Sequence, residues 1–153
     1  MLNLELKVPP LLFVIIVGAA MWGIAESTPG MVLPTAARAL ACTLLGMGGF
    51  AVIIAGVVSF RRSGTTVNPT KPGSSTELVT GGIYRYTRNP MYLGMLLWLA
   101  AFATWLGSPS ALLLCPVFVL FMNRFQIAPE ERALETLFGD EYRVYKSRIR
   151  RWI

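Results

Sequence analysis

"MYLGMLLWLAAFATWLGSPSALLLCPVFVLFMN", residues 91 to 123, runs for 33 residues without a charge. A bilayer's hydrocarbon layer, roughly 30 Å thick, takes about 20 helical residues to cross, so this run is too long for one ordinary span. The step "GSP" at Gly107 to Pro109 breaks it. The stretch therefore predicts a helical hairpin, since an unpaired backbone group in hydrocarbon costs several kcal/mol and leaves the helix as the workable form. One arm is expected over about 91–107 and the other over about 109–128, with Arg124 snorkelling to the headgroups because 109–123 alone is short.

Outward from the hairpin, two more uncharged runs occur upstream, Val8 to Ala25 with 18 residues and Ala39 to Phe60 with 22. The composition agrees: 54% hydrophobic, 14% charged and a mean hydropathy of +0.56, against about 25% charged for a soluble domain. The expected fold is an all-α integral membrane protein in one domain, 1–153, with four transmembrane helices (about 8–25, 39–60, 91–107 and 109–128), a loop at 61–90 and an amphipathic cytoplasmic C-terminal helix at 129–150. The N-terminus lacks a basic region followed by a small-residue cleavage signal, so the first run is expected to be retained.

The net charge of +6 falls outside the apolar runs. Basic loops beside anionic membrane lipid account for it, and no nucleic-acid partner is expected. Arg61, Arg62, Lys71, Arg85 and Arg88 lie in the loop and seven basic residues follow from Arg124 onward, which places both termini in the cytoplasm. Cys42 and Cys115 sit in apolar segments without CxxC spacing, and the chain has no histidine, so no metal is expected. Within the loop, "SGTTVNPTKPGSS" predicts extended or turn-like chain.

Immediately before the hairpin stands "YRYTRNPMYLG", residues 84 to 94. Pro90 makes "TRN" an extended approach to a helix beginning near Met91, so the motif lies at a helix N-terminus, with free backbone donors and a positive dipole end suited to a carboxylate or phosphate. Arg85 and Arg88 add charge-assisted donors, and the tyrosines offer π faces to a cation or a heterocycle. After the hairpin, Pro129, Glu130 and Glu131 begin a helix whose apolar stripe is Leu134, Leu137 and Phe138, broken or kinked at Gly139, with Tyr142 and Tyr145 on neighbouring turns. A ligand with a carboxylate, a sulfonium, an adenine and a ribose diol would use all of these groups: S-adenosylmethionine. Taken by type alone, the same arginines and tyrosines are also ordinary interfacial anchors, the glutamates ordinary helix-dipole partners, and Gly46 to Gly49, "GMGG", ordinary close helix packing.

The two motifs together resemble the membrane-embedded methyltransferases of the isoprenylcysteine carboxyl methyltransferase and phospholipid methyltransferase families, bacterial branch. "LVTGGIYRYTRNPMYLG" resembles G-x-Y-x-x-x-R-H/N-P-x-Y-x-G, and "PEERALETLFGDEYRVYKSRIRRWI" resembles E-E-x-x-L-x-x-x-F-G-x-x-Y-x-x-Y, over roughly residues 60 to 153. The resemblance implies methyl transfer from S-adenosylmethionine, leaving S-adenosylhomocysteine, with Arg88 and Glu131 in catalytic roles and Gly82, Tyr84, Arg88, Asn89, Pro90, Tyr92, Glu130, Glu131 and Tyr142 around the cofactor. "LLGMGG" resembles the Gly-x-Gly of phosphatidylethanolamine N-methyltransferases and adds Gly46 and Gly48. Asn89 stands where isoprenylcysteine enzymes carry His, as in the phospholipid enzymes, so no histidine base is expected. The implied acceptor is apolar or lipid-tethered, either the carboxylate of an isoprenylcysteine-like molecule or a phospholipid amine, and the implied location a bacterial or archaeal inner membrane. The rival readings are a noncatalytic scaffold that binds anionic lipid and a relative of the nicotinamide-dependent membrane sterol reductases.

Overall fold

The computed structural model describes residues 5–31, 34–63 and 77–153, which are helical with no strand among them. From residue 64 on, the stretch expected to be extended lies outside the described residues. The first helix, α1 (Pro10–Ser27), opens on a proline whose fixed φ suits a first turn and whose missing N–H would have had no partner there. At its far end Ser27 and Thr28 fold their hydroxyls back onto the carbonyls of Gly23 and Ile24, at 2.9 and 2.8 Å. Helix α2 (Thr35–Arg62) has 28 residues, about 42 Å at 1.5 Å per residue, and carries Arg61 and Arg62 in its last turn, where the negative dipole end favours cations.

The hairpin expected from "GSP" is built by three adjoining residues. Helix α3 (Pro90–Leu106) ends on Gly107, whose φ of 63° is the left-handed cap that glycine adopts without a Cβ clash. Ser108 then accepts the N–H of Ala111 at 3.2 Å, and Pro109 starts the short α4 (Pro109–Leu112). Beyond it, α5 (Leu114–Met122), a π turn (Asn123–Ile127) and α6 (Ala128–Arg148) follow without a break. Helix α6 kinks at Gly139, where φ is 53° and ψ −123°.

The N–H of Met31 donates to the carbonyl of Gly107 at 2.7 Å, which sets the end of α1 beside the α3–α4 turn; at the opposite end the N–H of Leu6 donates to Phe125 at 3.0 Å. The long segments α1, α2, α3 and α4–α5 therefore run alternately up and down. Pro10–Ser27, Thr35–Arg62 and the joined helical stretch Pro109–Arg148, kinked at Gly139, are each long and apolar enough to cross a membrane, and α3 is a shorter apolar helix. The core joins Val17 and Met21 of α1 to Tyr92, Leu99 and Ala103 of α3 and to Ala111, Phe118, Met122 and Ile127. Leu11, Leu12, Ile15, Ile16, Leu40, Leu44, Met47 and Phe50 point outward. So large an apolar exterior is stable where lipid replaces water, as in an integral membrane protein.

Candidate functional site

The α2 C-terminus, the α3 N-terminus and the π turn leading into α6 meet at one end of the bundle. Between α2 and α3 the chain makes a 3₁₀ turn, Gly82–Arg85. Gly82 has a φ of 60°, and a Cβ there would sit 2.5 Å from the Ser59 hydroxyl, so the turn requires glycine. The turn delivers Tyr84 into the interior, edge-on to Phe60 with centroids 5.4 Å apart, and its carbonyl accepts the Tyr145 hydroxyl at 2.8 Å. Tyr84 and Tyr145 thus fasten α6 to the loop. Burial pushes the phenol pKa of both well above the ordinary value.

Asn89, expected to be extended, has φ −132° and ψ 58°, outside the α region that a following proline disfavours but short of a full extended conformation, and Pro90 opens α3 against Gly56 of α2. That geometry aims Arg88 at α6. One guanidinium nitrogen lies 3.1 Å from Glu131 Oε1 and donates to the Tyr142 hydroxyl at 3.4 Å, while Arg88 Nε is buried without a partner. Tyr92, one turn into α3, donates to Glu130. The adjacent carboxylates are thereby separated: Glu131 is ion-paired, with its side chain 9% exposed, and Glu130 pairs with a phenol. Burial pushes the pKa of Glu130 up to about 8, the Tyr92 hydrogen bond pulls it back, and the charge of Glu131 pushes in the same direction as burial. Tyr142 is pushed up to about 12, by burial first and then by Glu131, against the nearby Arg88.

Of the residues expected from sequence, Tyr84, Arg88, Asn89, Pro90, Tyr92, Glu130, Glu131 and Tyr142 converge at this end of the bundle, with Gly82 shaping the turn at its edge. Gly46 and Gly48 do not join them. Ten residues separate Gly46 from Gly56, the glycine that touches Pro90, which is about 15 Å along the helix. Gly46 instead accepts the Trp98 indole N–H at 3.2 Å, and neither Gly46 nor Gly48 has an atom within 4 Å of where a Cβ would stand.

The tail helix, expected to run to about 150, ends at Arg148, and the basic residues beyond it do more than carry charge. After α6 the chain turns back along the 87–89 segment, and the carbonyl of Arg151 accepts Asn89 Nδ2 at 2.9 Å and the Thr87 hydroxyl at 3.3 Å. The Asn89 amide is thus spent on the backbone. Arg151 forks onto both oxygens of Glu131, at 3.0 and 2.6 Å, and Lys146 stands 3.8 Å from the same carboxylate. The sequence holds one clue, "RRWI", where an aromatic follows basic residues and interrupts the solvated pattern of the helix surface. Taken together, the cluster offers a guanidinium with an unused donor, an ion-paired carboxylate, a second carboxyl pushed toward its neutral form and tyrosine rings. Those groups suit a ligand with an anionic and a cationic end.

The sequence model of a family described as phospholipid methyltransferase matches residues 36–141, more than half of the chain. An uncharacterized protein of Haemophilus influenzae is 54% identical over 63 residues, which cover 41% of this chain and all of that one. A protein-S-isoprenylcysteine O-methyltransferase of Schizosaccharomyces pombe is 38% identical over 73 residues, 47% of this chain and 30% of the yeast protein. Methanethiol S-methyltransferase 1 of Bradyrhizobium diazoefficiens is 40% identical over 79 residues, 52% of this chain and 27% of that enzyme. The chain thus spans under a third of either of these two named enzymes. No solved structure matches it.

Proposed function

The chain belongs to the phospholipid methyltransferase family, and from that premise we propose that it is an S-adenosylmethionine-dependent methyltransferase acting on an apolar or lipid-tethered acceptor. The observation that carries the reading is the buried Arg88, held 3.1 Å from Glu131 with its Nε unpartnered. A buried donor without a partner is destabilising unless something fills it, and a ligand carboxylate fits it. The residues present therefore fit the cofactor: Arg88 and the free N–H groups of the α3 N-terminus would take its carboxylate, Glu130 and Glu131 its ammonium or ribose hydroxyls, and the tyrosines its sulfonium and adenine.

S-adenosylmethionine, when bound, supplies a methyl group already activated as a sulfonium substituent. What remains for the chain is positioning and exclusion of water. Arg88 and Glu131 fix one end of the cofactor, the helical walls exclude solvent, and Glu130, which keeps its proton to about 8, is placed to lose it as a cation arrives. A carboxylate acceptor needs no base; an amine acceptor must arrive deprotonated, which Glu130 or Glu131 would assist. Four spans with both termini and α6 in the cytoplasm complete the proposal, since Arg61, Arg62, Lys146, Arg148 and Arg150 gather at the site end.

Calorimetry of the full chain in nanodiscs with S-adenosylhomocysteine and, separately, NADPH distinguishes this reading from a lipid-binding scaffold and from a reductase. Binding of the first alone is expected; binding of neither, or of NADPH only, overturns the reading. Arg88→Ala should weaken S-adenosylhomocysteine by about 10- to 150-fold, the loss of a charge-assisted hydrogen bond, while the exposed Arg61→Ala should change it little. Equal small effects would return Arg88 to the role of a headgroup anchor.

A further inference from the structure

The chain does not end with α6. Ile149 leaves the helix in an extended conformation, φ −115° and ψ 133°, and the three residues after it form a strap. The carbonyl of Arg150 accepts the N–H of Arg88 at 3.1 Å, and that of Arg151 accepts Asn89 and Thr87 as described above. The Arg151 side chain spans the remaining gap: Nε and one terminal nitrogen take the two oxygens of Glu131, and the other terminal nitrogen reaches Asn123 Oδ1 in the π turn at 3.4 Å. Trp152 donates to the same Asn123 oxygen at 3.0 Å and packs against the core. One guanidinium thus connects α6, the π turn and, through its own backbone, the approach to α3. The π turn runs directly into α6, but the approach to α3 is distant from both in sequence, and the guanidinium and the carbonyl of this one residue tie them together.

The geometry at Glu131 gives this bridge a task. Arg88 and Arg151 both address Oε1, at 3.1 and 3.0 Å, and Arg151 alone among the arginines holds Oε2, at 2.6 Å. With Oε2 held by Arg151, the carboxylate cannot turn both oxygens onto Arg88. A two-toothed Arg88–Glu131 pair is the stronger arrangement in isolation, and it would consume the guanidinium edge that now carries an unpartnered Nε. We propose that Arg151 is a positioning residue: by occupying Glu131 it keeps Arg88 open toward the cofactor's carboxylate. The inference rests on the methyltransferase reading, in which Arg88 receives that carboxylate.

The test uses the full chain in nanodiscs with S-adenosylhomocysteine as the probe. Arg151→Ala should weaken binding by about 10- to 100-fold, while Arg148→Ala, an equal charge loss at an exposed position, should stay within about twofold. Millimolar guanidinium should restore part of the loss in Arg151→Ala and do nothing for wild type. Adding Glu131→Gln to Arg151→Ala should cost less than Glu131→Gln costs alone, because the neutral amide cannot capture Arg88; full additivity, or Arg151→Ala binding like wild type, overturns the proposal. Should Arg151→Ala fail to fold, Arg151→Lys keeps the charge and loses the fork, and it should bind at least threefold more weakly; parity with wild type overturns the proposal as well. If wild type itself binds no S-adenosylhomocysteine, the methyltransferase reading fails separately. In that case hydrogen exchange at the Arg88 amide tests the strap alone, where Arg151→Ala should accelerate exchange and an unchanged rate refutes the tie.

Discussion

Two neighbouring carboxylates differ only in what faces them, and that difference has a measurable sign. Glu130, pushed up to about 8 from an ordinary 4.5, keeps a proton in the folded chain that the unfolded chain releases near 4.5. Between these values the folded state binds more protons, so stability falls as pH rises from about 4.5 to about 8, and the contribution is fully lost above that. Thermal unfolding in detergent should therefore give a higher midpoint at pH 5.5 than at pH 8.5, and Glu130→Gln should remove that part of the slope. The proposed function adds a second reading of the same group: a cation bound beside Glu130 favours its ionised form, so cofactor binding at pH 7 should release a proton. Calorimetry in buffers of different ionisation enthalpy measures that release, and an identical proton count in Glu130→Gln would assign the proton elsewhere. These residues were legible through the spacing of two motifs that resemble a family, since by type alone Arg, Tyr and paired Glu at a helix mouth are ordinary interfacial anchors and dipole partners. Arg151 was not, because its role depends on the chain folding back sharply at Gly139 and then leaving the helix at Ile149, and the sequence marked Gly139 as a break or kink without giving the direction of the turn.

At the scale of elements, hydrophobic runs located the helices and the turn chemistry of "GSP" located the hairpin, but neither could orient a helix about its axis. A lipid-facing residue and a core-facing residue are both apolar, so the pattern that marks the inner face of a soluble helix is missing. That is why "GMGG" stayed open between packing and cofactor. The structure separates its glycines: a Cβ on Gly49 would stand 2.7 Å from the Gly94 carbonyl oxygen and 2.8 Å from the Trp98 ring, and one on Gly94 would stand 2.6 Å from the Gly49 carbonyl, whereas Gly46 and Gly48 face open space. Helices α2 and α3 touch backbone to backbone at Gly49 and Gly94. Gly94→Val should accordingly destabilise the bundle by about 1 to 3 kcal/mol through overpacking, or prevent assembly. Gly48→Ala should be neutral or stabilising by up to about 1 kcal/mol, the helix-propensity difference. Melting temperatures of the two variants check the pair, and a loss of S-adenosylhomocysteine affinity in Gly48→Ala at unchanged stability would bring that glycine into the ligand's path. The π turn at Asn123–Ile127 had no such advance sign, since the extra residue per turn is absorbed by packing around Gln126 and Ile127, both fully buried.

The molecule as a whole sets a condition on what can reach the site. The cluster of Arg88, Glu130 and Glu131 lies at the end of the bundle, and the helices beneath it present apolar faces both inward and outward. An acceptor with an apolar tail can remain in the bilayer while its head group enters between helices, so the membrane does the concentrating. Each methylene transferred from water to lipid contributes about 0.8 kcal/mol, equivalent to roughly a three- to fourfold rise in local concentration. For one head group offered on tails of increasing length to the chain in liposomes, the apparent KM counted against total acceptor should fall by about that factor per methylene until partitioning saturates, with kcat nearly constant because the reacting end is unchanged. The test has a second outcome. Were the acceptor a small thiol arriving through water, KM would be flat or rise with tail length, and lipid composition would leave the rate unaffected; that result would move substrate entry from the bilayer to the aqueous face while leaving the cofactor cluster as proposed.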